Sequence, residues 1–290
     1  VTSQDLTLTD GRSLRIWTRG RFDGLALVYF PGTPAGVTPE PEIVSAAEKA
    51  GVGLLSIGRA GYPGSTRVPG RDVGSVAADT AQVLTQLDVD QFVTLGWSGG
   101  GPHALACAAA VPGCRAAATL ASIGPAHTDL DLSAGMAAEN VEEIRDARAG
   151  EPTLRARLEP LVAAQLAMDP ATLIDSMGDL LPPADRDSLT VDRAAFFADS
   201  TREALADGIH GWLDDALALV APWGFSVLEI TVPVAVWQGD EDTMVPIAHG
   251  RWLAAHLPAA HPHLLAGEGH MSAGLEHMDE IVADLIALAR

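Results

Sequence analysis

The feature that most constrains this chain is an alternation of two patterns. Short, continuous apolar runs recur at residues 25–30, 53–57, 91–96, 116–121, 232–237 and 263–265. Between them lie stretches with apolar positions at helical spacing, at 42–50, 73–87, 104–111, 247–257 and 278–289. In the second of these, Val76, Thr80, Val83, Leu84 and Leu87 share one face. An unbroken apolar run is expected of a strand covered on both faces. Such strands alternating with helices give an α/β fold: a mostly parallel central sheet flanked by helices. At the start, Leu6 and Leu8 alternate with polar residues, Asp10-Gly11 supplies a turn, and Leu14 and Ile16 resume the alternation. That reads as a hairpin.

One segment interrupts the rhythm. Residues 124–221 contain no convincing strand run and many helix formers, with helices expected at 134–149, 153–167, 171–181 and 201–220. Pro152, Pro170, Pro182 and Pro183 punctuate them. The segment is too long for an ordinary loop. It reads as a helical cap or lid, residues 124–222, inserted between a first core portion at 1–123 and a second at 223–290.

Charge narrows the partners. Lys plus Arg number 18 and Asp plus Glu 38, a net charge of −20 at pH 7. Such a chain repels phosphate backbones and anionic lipid, so neither nucleic acid nor a membrane is an expected partner. The first ten residues lack a signal-peptide pattern, and no apolar run reaches the roughly 20 residues that cross a bilayer. A cytoplasmic protein, monomer or homodimer, is expected. Cys107 and Cys114 do not make a disulfide framework and read as two small buried or half-buried thiols.

The strongest chemical signal is Gly96-Trp97-Ser98-Gly99-Gly100, between the apolar strand ending at Leu95 and the helix beginning near Ala104. Strand, G-x-S-x-G, helix is the context of a nucleophile elbow. The turn strains Ser98 so that its hydroxyl projects from the sheet edge, and the close backbone leaves room only for small residues at Gly96 and Gly100. The N–H of Gly99, at a helix start, can then donate to an oxyanion. A serine hydroxyl needs a base, and the base needs an orienting acid. Candidate acids Asp240, Glu241 and Asp242 follow the run ending at Trp237, and His270 follows the run at 263–265. Both sets lie past the carboxyl end of an expected strand, where sites form in open α/β sheets.

These elements together resemble the α/β-hydrolase superfamily, in a capped, single-domain form, over nearly the whole length. The branch that the chain particularly resembles is the one near proline-iminopeptidase-like hydrolases. It carries a P-G-T-P or H-G-T-P loop and a G-R-x-G-Y-x-G-S loop, read here as Pro31-Gly32-Thr33-Pro34 and Gly58-Arg59-Ala60-Gly61-Tyr62-Pro63-Gly64-Ser65. The resemblance implies Ser98 as nucleophile, His270 as base and Asp242 as the acid, third after Gly239. Asp240 and Glu241 become solvated turn residues. Family members that place the acid after an earlier strand would put it at Asp129 or Asp131. The second oxyanion donor is implied at the N–H of Thr33. Pro31 stands where many relatives have His, which removes whatever that His would bond behind the loop.

The expected function is that of a serine hydrolase, cleaving an ester-like or other acyl bond of a small, largely apolar substrate with no metal or organic cofactor. An aminopeptidase is the first alternative; it needs a buried acid for the substrate ammonium, and one of Glu139, Glu142 and Glu143 could supply it where the others form a solvated face. Carbon–carbon bond hydrolysis and haloperoxidase-like side activity use the same three residues. A ligand-binding sensor with little turnover is the alternative of another class. His103 is expected to pack behind the elbow, Trp97 to fill the pocket wall, and His249, His256, His261 and His277 to lie at the surface. Met136, Met168, Met177, Phe196, Phe197, Trp212 and Trp223 are candidates for the cap's share of the pocket.

Overall fold

The computed structural model describes residues 2–167, 169 and 181–290. Among these, eight strands form one sheet: β1 (Thr2–Thr7), β2 (Ser13–Arg19), β3 (Ala26–Phe30), β4 (Gly53–Ile57), β5 (Phe92–Trp97), β6 (Cys114–Leu120), β7 (Val234–Gly239) and β8 (Ala260–Leu265). β1 and β2 are the expected hairpin, with Leu6 opposite Leu14. β2 is antiparallel to β4, and the pairings of β3 through β8 are parallel.

The apolar runs follow from what covers each face. Along β3, Ala26, Val28 and Phe30 enter one core, and Leu27 and Tyr29 the other. In β7, Val234 and Val236 divide from Ala235 and Trp237 in the same way. Successive side chains alternate, so both faces need apolar residues. Each large aliphatic side chain fully buried there contributes about 1.5–3 kcal/mol. On one face pack α1 (Pro41–Ala50), the short α10 (Ser272–Leu275) and α11 (Met278–Leu288). On the other pack α2 (Val76–Gln86), α3 (Gly101–Ala110) and α9 (Ile247–His256).

The strand order is β1-β2-β4-β3-β5-β6-β7-β8. The chain passes from β3 outward to β4, then crosses back to lay β5 on the other side of β3. Loops leaving β3 and β5 therefore diverge and open a crevice at their carboxyl ends. Phe30 stands beside Gly96 in that pairing, so the 31–34 loop and Ser98 start side by side.

Between β6 and β7 the described residues hold α4 (Ala138–Arg148), α5 (Glu151–Leu166), α6 (Pro183–Ser188), α7 (Val191–Ala204) and α8 (His210–Val220), and no strand. The single helix expected at 201–220 is two, because the chain turns at Gly208 with φ of 99° before α8 begins. Apolar spacing on both sides concealed that stop. The helix expected at 171–181 lies, except for Leu181, outside the described residues. Leu154, Leu158, Leu205, Trp212 and Leu213 form a small core of this segment's own. Ala218 and Leu219 of α8 also enter the sheet's core. Cys107 is buried, Cys114 is half-buried, and both are free thiols. No helix of the described residues is long and apolar enough to cross a membrane.

Candidate active site

β5 ends at Trp97, and one tight turn over Ser98–Gly100 leads into α3. Ser98 has φ of 55°, a region that costs a side-chain-bearing residue about 1–3 kcal/mol. Close backbone contact holds it there. A Cβ on Gly96 would lie 2.2 Å from the Gly100 carbonyl oxygen, and one on Gly100 would lie 2.1 Å from that of Phe30. His103 packs behind the turn and donates its Nδ1–H to the Gly99 carbonyl at 2.9 Å. Burial, reinforced by the nearby Arg59 charge, lowers the His103 pKa to about 3, so the ring is neutral near pH 7.

Trp97 does not line the pocket, contrary to expectation. Its side chain enters the core on the opposite face, and its Nε1–H donates to the His270 carbonyl at 3.3 Å. Alternation along β5 sends neighbouring side chains in different directions.

Thr33 and Gly99, the two expected oxyanion donors, are neighbours: a Cβ on Gly99 would lie 2.5 Å from Thr33 Oγ1. Arg59 holds the Thr33 loop, donating to the carbonyls of Pro31 at 2.7 Å and Gly32 at 2.8 Å and to Thr33 Oγ1 at 3.0 Å. It thereby secures the loop that carries Pro31. Asp215 of α8 balances that guanidinium with contacts of 2.8 and 2.6 Å. The same carboxylate accepts from Tyr62 and Thr33, both at 2.8 Å, and from Arg71. Burial would raise the Asp215 pKa, but the charges of Arg59 and Arg71 outweigh it and hold the carboxyl far below the usual range. Asp215 escaped sequence reasoning. Its signal was a pair of acids, Asp214 and Asp215, inside an otherwise apolar helix.

Asp242 follows β7 and is buried. Its Oδ1 accepts from the N–H groups of Met244 and Val245, both at 2.8 Å. Its Oδ2 accepts from Gln238 Nε2 and from His270 Nδ1, both at 2.9 Å. Asp240 and Glu241 are exposed. Asp129 bonds Trp252 at 2.6 Å and Asp131 bonds Ser133 at 2.9 Å, so neither is the partner of His270. Burial would lower the His270 pKa, but the charge and hydrogen bond of Asp242 raise it above the ordinary imidazole value. With Nδ1–H given to Asp242, Nε2 is the nitrogen left for Ser98. Ser98 and His270 are not joined by a hydrogen bond in this structure. Such links are often long before a substrate is in place.

His249 is buried, not at the surface as expected. Its Nδ1 accepts from Gly124 N–H at 2.9 Å and its Nε2 donates to the Leu132 carbonyl at 3.1 Å, satisfying both nitrogens. His261 is exposed, and His256 and His277 are half-buried.

A cavity of about 300 Å³ opens over Ser98, Gly99 and Thr33. Ile123, Met136, Ile144, Leu219, Val220 and Met244 give it apolar walls. Asn140, Glu143, Gln165 and Thr201 add polar groups. Trp212 also lines it and donates its Nε1–H to Glu143 at 3.0 Å. Burial raises the Glu143 pKa despite that bond. Glu139 and Glu142 are exposed, and Glu142 pairs with Arg157 at 2.8 Å. Phe197 meets Trp97 edge-on, and Trp223 stacks on Phe225, both away from the cavity. Met168 and Met177 lie outside the described residues. No group of three or more His, Cys, Asp or Glu side chains converges as a metal site among the described residues.

Known proteins match this arrangement at the level of fold. An esterase from Exiguobacterium antarcticum has a TM-score of 0.69 and 17% identity, covering 99% of both chains. A bromoperoxidase from Bacillus anthracis has a TM-score of 0.71 and 18% identity, covering 100% of both. An enol-lactonase from Burkholderia xenovorans has a TM-score of 0.70 and 17% identity, covering 98% of this chain and 99% of its own. A search of curated protein sequences finds no significant match. The sequence model of the alpha/beta hydrolase fold matches residues 26–276, and with a mostly parallel sheet carrying the strand–serine–helix turn, the chain belongs to the alpha/beta hydrolase family.

Proposed function

We propose that the protein is a serine hydrolase cleaving an ester-like acyl bond of a small, largely apolar substrate. The observation that carries this reading is a strained serine opening into a mainly apolar cavity, together with a buried Asp242–His270 hydrogen bond past the ends of two other strands of the same sheet. Ser98 Oγ attacks the substrate carbonyl as its proton passes to His270 Nε2. Asp242 stabilises the imidazolium that results. The N–H groups of Thr33 and Gly99 hold the oxyanion, each such donor contributing about 2.7–4 kcal/mol to the transition state. Protonated His270 then gives its proton to the leaving group, and water repeats the sequence on the acyl-enzyme to release the acid. The segment between β6 and β7 serves as the cap that shapes the acyl pocket. Ester- and lactone-cleaving neighbours on the same fold are in keeping with this chemistry.

Glu143 favours a second reading, an aminopeptidase. A carboxyl group on the cavity wall is what a substrate ammonium would require, since an unpaired buried charge is costly. Rates on p-nitrophenyl acetate and butyrate, set against aminoacyl p-nitroanilides, decide between the two. The ester reading expects turnover of the esters and at most traces with the anilides. Anilide turnover exceeding ester turnover would replace it with the peptidase, and turnover of neither alongside tight ligand binding would favour a sensor.

A further inference from the structure

We infer that Asp185, on the cap helix α6, is a positioning residue for His270, resting on the reading of His270 as the base. Asp185 lies far from the other named site residues in sequence, yet its carboxylate is fully buried beneath the His270 loop. Its Oδ2 accepts the N–H of His270 at 3.0 Å, and its Oδ1 accepts those of Met271 at 2.9 Å and Ser272 at 2.8 Å. Three consecutive backbone donors thus end on one side chain. The fit is close: a Cβ on Gly269 would lie 2.4 Å from Asp185 Oδ1, so the glycine before His270 leaves the carboxylate its room. Ser272 Oγ accepts the Gly269 N–H at 2.8 Å and tightens the same turn.

The His270 residue is therefore held at three points. Asp185 takes its N–H, Trp97 takes its carbonyl, and Asp242 takes its Nδ1–H. Of these three, only Asp242 hydrogen-bonds the imidazole. Asp185 approaches from the backbone side and does not line the cavity, so it acts on the reaction through His270 alone. Arg193 of α7 supports the contact from the side. It donates to the carbonyls of Ser188, at the end of α6, and Leu275, in the short helix after His270, at 2.7 and 3.1 Å. The cap is thereby tied to the base as well as to the pocket. A small displacement of a catalytic group can cost about a hundredfold in rate, so this anchor bears on turnover.

Asp185→Asn tests it, because the amide keeps the size of the carboxylate but replaces one of its two acceptor oxygens with a donor facing an N–H. Asp185→Glu, which keeps both oxygens, is the companion variant. The expected result is a fall in kcat of about tenfold to a hundredfold with KM changed less than about threefold, a matching slowing of fluorophosphonate labelling, and partial recovery in Asp185→Glu. In imidazole-nitrogen NMR, with His270→Ala assigning the signal, Asp185→Asn should weaken or shift the Nδ1–H resonance shared with Asp242. Unchanged kcat and an unchanged His270 resonance in folded Asp185→Asn would overturn the inference, as would a loss confined to melting temperature. The NMR arm separates the two ideas. A perturbed resonance in a protein whose Ser98→Ala variant keeps full activity would sink the hydrolase reading and leave Asp185 as the anchor of His270.

Discussion

Two kinds of support meet at the candidate site. Ser98 and Asp242 stand at the ends of β5 and β7 and are placed by the sheet and its turns: a strained φ between crowded glycines for one, two backbone N–H groups for the other. The Thr33 and His270 loops are braced from the segment between β6 and β7, each by a buried carboxylate, Asp215 backing the Arg59 that holds the Thr33 loop and Asp185 meeting the His270 loop directly. These carboxylates differ in turn. Asp215 faces two guanidinium groups, whereas Asp185 faces three peptide N–H groups. Loss of Asp215 leaves buried cations uncompensated, which bears on folding. Loss of Asp185 leaves unpaired donors in one loop, which bears on the placement of His270.

The variants that separate these supports differ in scale. Ser98→Ala should lower kcat by a factor on the order of 10⁶ while the protein still melts cooperatively; ester hydrolysis assays set against thermal denaturation would show it. Asp242→Asn should lower kcat by about 10⁴ with the fold intact, because the amide favours the wrong imidazole tautomer; a normal rate in that variant would mean that Asp242 does not orient the base. Asp215→Ala should behave oppositely, losing about 3–5 kcal/mol of stability in urea denaturation, since Arg59 and Asp215 are both almost wholly buried. A loss below about 1 kcal/mol would show that the charge cluster does not hold the Thr33 loop as described.

The pH dependence follows from His270. As the proposed base, His270 must be neutral, and its folded pKa is raised, so the acid limb of kcat/KM should have its midpoint above the ordinary imidazole value of about 6.5. The same shift favours the protonated ring in the folded state. Its contribution to stability is present in full below the unfolded pKa and is lost as pH rises through the folded one. A limb centred below pH 6 would contradict the environment described for His270. The smallest effect is expected from Glu143→Gln: less than about tenfold on apolar esters, with a larger loss on any substrate bearing an ammonium group.

The same division explains what the sequence could reveal. Residues placed by the sheet announce themselves locally. Phe92-Val93-Thr94-Leu95 followed by Gly96-Trp97-Ser98 states a strand and its turn in seven residues, and Asp242 and His270 follow their own strands in the same way. Arg59 was visible only as part of a family motif, because its partners at Pro31, Gly32 and Asp215 are distant in sequence. Asp185 sits in a short helix without clear periodicity, and nothing local marks its carboxylate as buried; Asp215 is marked only by its place beside Asp214 in an otherwise apolar helix. Glu143 looked like its neighbours Glu139 and Glu142; a step of one residue around the helix separates cavity-facing Glu143 from solvated Glu142. Trp97 and His249 were misplaced because a residue type does not say which face of the sheet, or which loop, will cover it.

Activation of Ser98 by His270 is the step on which the proposed chemistry turns. The direct measurement is mass spectrometry of the protein after reaction with a fluorophosphonate, with peptide mapping, for the wild type, Ser98→Ala and His270→Ala. One adduct per chain, on Ser98, is expected in the wild type, with none in Ser98→Ala and labelling slowed at least a thousandfold in His270→Ala. An adduct on another residue, or wild-type labelling of Ser98 in His270→Ala, would contradict it.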